Sequence, residues 1–352
     1  MQKILFLLLS GLPVLAIQAQ SNSDRKDLFQ VKTLAGASFQ QADVETSGGN
    51  ISFYGVAAAD ARVEVYISSD NGRNTTLSKD EIQHRLDEMY DFSIGVSNNK
   101  LTAIAKPKAG SRFSDSRNGL SISFRVYVPQ SVSSTLRTSG GNIDLGNLTG
   151  GTQDFRTSGG NLDVEHISGK LTGRTSGGNI SLKDVKDDIQ MSTSGGNVEA
   201  SDCQGNIRLT TSGGNLVLQN LKGDIRANTS GGNVEGGSVS GELLTSTSGG
   251  DIRLKDLSCS LTASNSGGSI DVRMTSMGQY LNLRNSGGDV SLQLPQGKGM
   301  DLSLYGDPVV RATALGNFSG DVDEKHINGT LNGGGIPVKV DGGGGRVSLS
   351  FK

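Results

Sequence analysis

Thr193-Ser194-Gly195-Gly196-Asn197-Val198-Glu199-Ala200 is answered eighteen residues later by Thr211-Ser212-Gly213-Gly214-Asn215-Leu216-Val217-Leu218. The same four-residue start, or a close variant, stands at Thr138, Thr157, Thr175, Thr193, Thr211, Thr229, Thr247, Asn265 and Asn285, so the interval is 19, then 18 six times, then 20. A fixed period of this size marks a solenoid, in which each repeat is one turn of chain stacked on the next.

Alignment of the repeats on the Ser of Ser-Gly-Gly gives the local structure. Four residues on come Ile143, Leu162, Ile180, Val198, Leu216, Val234, Ile252, Ile270 and Val290, and six on come mostly Leu, Val or Ala. The residue between is usually polar, which is the period-two alternation of a strand with one buried face. Further apolar columns lie nine on (Leu148, Ile167, Val185, Cys203, Leu221, Val239, Leu257), thirteen on (Leu171, Ile189, Ile207, Ile225, Leu243, Leu261) and fifteen on. Each repeat therefore reads strand, corner with an inward aliphatic, second strand, then the Thr-Ser-Gly-Gly corner. The glycine pair is expected to supply positive φ at that corner, and the Asn after it to tolerate left-handed geometry. Stacked Asn amides and Thr or Ser hydroxyls are expected to hydrogen-bond along the axis as ladders.

The expected fold is all-β, a parallel β-helix or β-solenoid of rungs about 18 residues long. Its N-terminal region caps the stack and contains one short helix. The usual hand of crossovers favours a right-handed coil, while an 18-residue turn also equals three hexapeptides, the period of left-handed β-helices. Four segments follow: 1–19, 20–137, 138–298 and 299–352. The first is a secretory leader, with Lys3, an apolar run from Ile4 to Ile17 and a small-residue cleavage site at Ala19. The second holds one outlying repeat, Thr46-Ser47-Gly48-Gly49-Asn50-Ile51, and a helix opened by the capping box Ser78-Lys79-Asp80-Glu81 and running to about Tyr90. Strands are expected over Arg62 to Ile67, Phe92 to Val96, Leu101 to Ala105 and Ser121 to Val128. The third is the regular array, and the fourth a set of degenerate terminal rungs.

Composition narrows the function. Glycine contributes 51 of 352 residues, Trp is absent, and net charge is only -2, with no basic block of the kind that marks a nucleic-acid or anionic-membrane binder. No segment of the mature chain is long and apolar enough for a helical membrane span. Three histidines, His84, His166 and His326, are far apart in sequence, and none has metal-ligand spacing with another. No Ser elbow, Cys–His pair or phosphate loop is present. No cofactor is implied. Cys203 and Cys259 fall three rungs apart, too far for a disulfide, and Cys203 occupies an aliphatic column.

One outward column, between the first two apolar ones, gathers Asp144, Asp163, Glu199, Glu235 and Asp271, interrupted by Ser181, Val217 and Arg253. It reads as a solvated face, with Asp144 beside Asp163 as the pair placed to share a divalent cation or a glycan contact.

The outlying repeat, the inserted Leu77 to Tyr90 segment, the Ser121 to Pro129 strand and the Gly329-Thr-Leu-Asn-Gly-Gly-Gly335 stretch together resemble a family of exported bacterial β-strand-repeat proteins. That family, a domain of unknown function, is described only as candidate adhesins. The resemblance covers about Asp43 to Phe351, and it implies an envelope protein of a Bacteroidota-type bacterium. It carries over no catalytic or binding residue. The resulting expectation is a non-catalytic exported protein, periplasmic, on the outer cell surface or extracellular, that binds a glycan or envelope component or acts as a scaffold. A polysaccharide-active lyase or hydrolase and a purely structural envelope component are the alternatives.

Overall fold

The computed structural model of the chain describes residues 28–69, 77–109, 119–311 and 315–352. The leader expected at 1–19 lies outside these. The architecture is all-β, with parallel strands stacked in a solenoid-like array. Leu162 pairs with Ile180, Ile180 with Val198, Val198 with Leu216 and Leu216 with Val234, each pair parallel and in register. The second strand of each turn does the same through Ile189, Ile207, Ile225 and Leu243. The aliphatic columns all point inward and form one continuous core, in which Leu162, Ile189, Ile207, Leu216 and Leu243 are fully buried.

Between these strands the bend is made by left-handed residues, one at each side of the inward aliphatic. Asn147, His166, Asp184, Asp202, Asn220, Ser238 and Asp256 all have positive φ, and three residues further on Gly150, Gly169, Asp187, Gly205, Gly223 and Gly241 do too. This is where φ > 0 is needed. None of the glycines in the Thr-Ser-Gly-Gly corners has it, which corrects the reason expected for them. The second glycine is there for space: a Cβ on Gly160, Gly178 or Gly214 would lie 1.9 Å from the carbonyl oxygen of the corresponding glycine one rung earlier. The first glycine has room, since a Cβ on Gly195 would meet nothing nearer than 3.6 Å.

Close approach lets the corner bond along the axis. The Oγ1 of Thr157, Thr175, Thr193, Thr211 and Thr229 each donates to a Gly carbonyl of the preceding rung at 2.8 Å. The Asn ladder also forms, but through the backbone. Each Oδ1 accepts from the backbone N–H of the next rung, Asn161 to Asn142 at 2.9 Å and Asn179 to Asn161 at 2.8 Å, rather than amide to amide. Substitutions in these columns keep the chemistry. Asp251 still offers an acceptor to Ser269 N–H at 2.8 Å, and Asn265, standing where Thr stands elsewhere, donates to the Gly250 carbonyl at 2.8 Å.

Chain order and stacking order diverge at both ends. The outlying repeat, strands Gln41–Thr46 and Ile51–Val56, is inserted between the first rung of the array and strands Lys100–Pro107 and Leu120–Pro129. Antiparallel strands Arg62–Ser69 and Tyr90–Ser97 then close that end, and Leu28–Thr33 adds a further antiparallel edge. The helix spans Lys79–Met89; Ser78 Oγ accepts from Glu81 N–H at its start, and Ile82 and Leu86 join the core. At the other end, Ile336–Asp341 and Val347–Phe351 wedge between the last repeat and strands Met300–Tyr305 and Val309–Arg311. The terminal segment is thus a late-arriving inner layer covered by earlier residues. Strands His326–Leu331 and Phe318–Val322 finish this edge antiparallel.

Candidate functional site

Asp144 and Asp163 are directly opposite each other on neighbouring strands, as the repeat alignment requires. They are the only carboxylate neighbours in the acidic column. Glu199 lies between Ser181 and Val217, Glu235 faces Arg253 at 4.0 Å, and Asp271 follows Arg253. The five side chains thus line one face but do not converge. Among the described residues no group of three His, Cys, Asp or Glu is placed to hold a metal ion.

Asp144 differs from the solvated carboxylate expected. It is half-buried and accepts a hydrogen bond from Ser52 Oγ at 3.2 Å. Burial holds its carboxyl above the usual range, the Ser52 bond pulls it back, and the charge of Asp163 pushes it up again. Asp163 is also raised, by burial first and then by Glu165.

What partly buries Asp144 is the outward face of the inserted strands. Alternate positions of a strand share a face, so Ile51–Val56 presents Ser52 and Tyr54, Leu120–Pro129 presents Ser123, Arg125 and Tyr127, and Arg62–Ser69 presents Arg62, Glu64 and Tyr66. Register places Tyr54, Tyr127 and Arg62 in one row and Asp144, Ser52, Arg125 and Glu64 in the next. Gly146 makes room for the Tyr54 ring, since a Cβ there would lie 2.9 Å from a ring carbon. The rings of Tyr54 and Tyr127 are 6.1 Å apart and tilted by 32°.

The guanidinium groups tie the rings down. Arg62 sits 3.8 Å above the Tyr127 centroid and Arg125 4.9 Å above that of Tyr66, within cation–π range. Glu64, only 8% exposed, accepts from Arg62 Nε at 2.7 Å and from Tyr66 Oη at 2.8 Å. A buried charge must be paired and hydrogen-bonded, and here it is. Burial, then the bond to Glu64, pushes the Tyr66 phenol up to about 12; burial also raises Tyr54 and Tyr127. All three phenols are therefore neutral donors at physiological pH. The result is a fixed platform of aromatic faces, hydroxyls, guanidinium groups and two carboxylates, Glu64 within it and Asp144 at its edge.

The repeat alignment finds Asp144 and Asp163 but misses this platform, whose residues come from strands outside the array. A usable signal was present: the chain has 6 Tyr, and Tyr54, Tyr66 and Tyr127 each occupy a polar-phase position of a strand. The three histidines lie on separate elements. His84 is exposed on the helix, 3.8 Å from Glu88; His166 is a left-handed corner residue; His326 pairs with Asp323 at 3.2 Å beside the Tyr305 ring. Both cysteines are free and buried, and burial pushes their thiols up to about 11 (Cys203) and about 12 (Cys259), so neither is a ready nucleophile. No helix of the described residues is long and apolar enough to cross a membrane.

Residues 170–340, just under half of the chain, match the family model described as Toastrack DUF4097. Among solved structures, a candidate cell adhesion protein from Clostridium sporogenes aligns at 11% identity over 92% of this chain and 98% of its own, with a TM-score of 0.22. A candidate adhesin from Bacteroides fragilis aligns at 17% identity over 73% of this chain and 96% of its own, with a TM-score of 0.34. Superpositions this loose carry no argument about function. No curated protein matches the chain. From the second rung of the array to the wedged C-terminal strand, the chain is similar to the Toastrack DUF4097 family.

Proposed function

We propose that this is an exported, non-catalytic surface-binding protein of adhesin type, whose contact surface is the platform of Tyr54, Tyr66, Tyr127, Arg62, Arg125 and Asp144. One observation carries the reading. Half of the chain's tyrosines sit on a single outward face, held by paired charges and bordered by a carboxylate that burial keeps above its usual range. Aromatic faces with fixed polar groups at their rim suit a ligand that is apolar on one side and hydroxylated on the other, as a pyranose ring is. Asp163 extends the rim into the array, and Glu199, Glu235 and Asp271 continue it as scattered polar contacts. The periplasm, the cell surface and the medium all fit this role.

The test is binding of the purified mature chain to a glycan array and to whole cells, in parallel with Tyr54→Ala and Tyr127→Ala. Loss of binding in either variant, with the circular dichroism spectrum unchanged, supports the reading. Absence of binding by the natural chain, or full binding by both variants, overturns it.

A further inference from the structure

A second surface lies on the strand that enters the Thr-Ser-Gly-Gly corner. Arg137, Arg156 and Arg174 are in register on three consecutive strands, all exposed. Ser139, Ser158 and Ser176 line the same open trough, which has a volume of about 640 Å³. Two residues back along the strand, and so on the same face, Arg208 and Arg226 continue the stripe on later rungs.

Stacking like charges one strand spacing apart is unfavourable, and the fold does not need it, because the same column holds Ser192 and Thr210 further along. The charges are only partly answered within the chain. Arg156 meets Asp154 at 3.3 Å and Arg226 meets Asp224 at 3.8 Å. Glu45, opposite Arg137, is engaged by Lys106 at 2.7 Å. Among the described residues Arg137, Arg174 and Arg208 have no ion-pair partner, and the hydroxyls of Ser139, Ser158 and Ser176 no hydrogen-bond partner.

We infer that this trough binds a linear carboxylated polysaccharide, a chain of uronic acid units lying along the solenoid axis. Arginine forks match planar carboxylates two bonds at a time. The free serine hydroxyls beside them match sugar hydroxyls, being both donor and acceptor. Rungs repeat about every 4.8 Å, the same length scale on which an extended pyranose chain advances by one residue. A nucleic acid fits less well: the trough contains no aromatic side chain on which bases could stack, and a net charge of -2 gives no wide basic field. The inference goes beyond the platform reading: it adds a second contact surface with its own ligand class and uses none of the platform residues.

The experiment is titration of the mature chain with an oligogalacturonate long enough to reach from Arg137 to Arg226, at low and then rising salt. A neutral oligosaccharide of equal length and single-stranded DNA serve as comparisons. The expected result is oligogalacturonate binding that weakens with salt, no binding of the neutral oligosaccharide and weaker binding of DNA. The triple variant R137Q/R156Q/R174Q should bind about tenfold or more weakly, and R137K/R156K/R174K, which keeps charge but loses the fork, should fall between. Tyr127→Ala should bind as the natural chain does. No binding by the natural chain at low salt, equal or tighter binding of DNA, or an unchanged affinity in the glutamine variant overturns the inference. If the glutamine variant fails to fold, the lysine variant decides, unchanged affinity again overturning it. Cell attachment is read on the same proteins. Attachment lost in Tyr127→Ala with oligogalacturonate binding retained supports two separate surfaces; natural protein that attaches to cells yet ignores oligogalacturonate sinks this inference and leaves the platform reading standing.

Discussion

The corner at Thr46 to Asn50 and the corner at Thr193 to Asn197 have the same sequence but different company. In the array, the second glycine packs on the glycine one rung earlier, and the Asn N–H donates to the previous Asn side chain. At the inserted repeat, a Cβ on Gly49 would lie 2.0 Å from the carbonyl of Ile122, Thr46 Oγ1 donates to that same carbonyl at 2.7 Å, and Asn50 N–H donates to Ser123 Oγ at 3.0 Å. A plain strand residue thus does what a repeat glycine does elsewhere, and a serine hydroxyl starts the asparagine ladder. The motif asks its neighbour only for a carbonyl at close range and an acceptor beside it. That freedom lets the N-terminal end depart from the repeat in sequence, and the departures are where aromatic and charged side chains gather.

The sharpest way to break the comparison is through the two glycines of one corner. Gly196→Ala places a methyl group 2.0 Å from the Gly178 carbonyl, a backbone atom that cannot step aside. A loss of about 3 kcal/mol or more is expected, whereas Gly195→Ala should change stability by under about 1 kcal/mol. Denaturant unfolding of both variants measures the difference, and equal losses would refute the close-approach account. Next in size, Thr211→Val removes a buried donor to the Gly196 carbonyl and an acceptor for Gly214 N–H, at an expected cost of about 1–3 kcal/mol. Thr211→Asn should recover part of it, as Asn265 does naturally.

Smaller again is the ladder itself. Asn179→Asp retains the acceptor used by Asn197 N–H and should be close to neutral, while Asn179→Leu should lose about 1 kcal/mol. Thermal unfolding of the pair separates an acceptor role from a general need for asparagine.

The smallest effect belongs to the junction of the two regions. Asp144 and Asp163 both titrate above their ordinary range in the folded protein, so folding favours their protonated forms. Their contribution to stability is present below the unfolded pKa and is lost as pH rises through the folded one. Asp144→Asn should therefore raise stability at neutral pH by about 0.2–1 kcal/mol, and the gain should vanish in acid. A gain independent of pH would point to packing instead.

Periodicity made the array legible because its columns are filled by residues whose only task is to be apolar, small or hydrogen-bonding. Leu216, Ile225 and Val234 could be placed from spacing alone, and so could Ser78 as a helix cap. The reason for Gly160 was misread, because a sequence shows that glycine recurs without showing whether its φ or its missing Cβ is wanted. The left-handed residues escaped notice for the opposite reason: Asn147, His166, Asp202 and Ser238 share a backbone conformation but no single side chain. Asp144 was found and its surroundings were not, since Ser52, Tyr54 and Arg125 come to it through pairings between strands far apart in the chain, which no local pattern reports.

The C-terminal wedge sets a clock on the molecule. Val338 lies between Leu281 and Leu302, and Leu349 lies beside Leu292, so that layer stays open until Val347–Phe351 has been made. A chain made from its N-terminus cannot complete this end before Ile336–Asp341 and Val347–Phe351 have emerged. The order of its strands makes the arrival of Val347–Phe351 a condition of a closed stack, and loss of that strand should leave a gap inside the stack instead of a shorter stack.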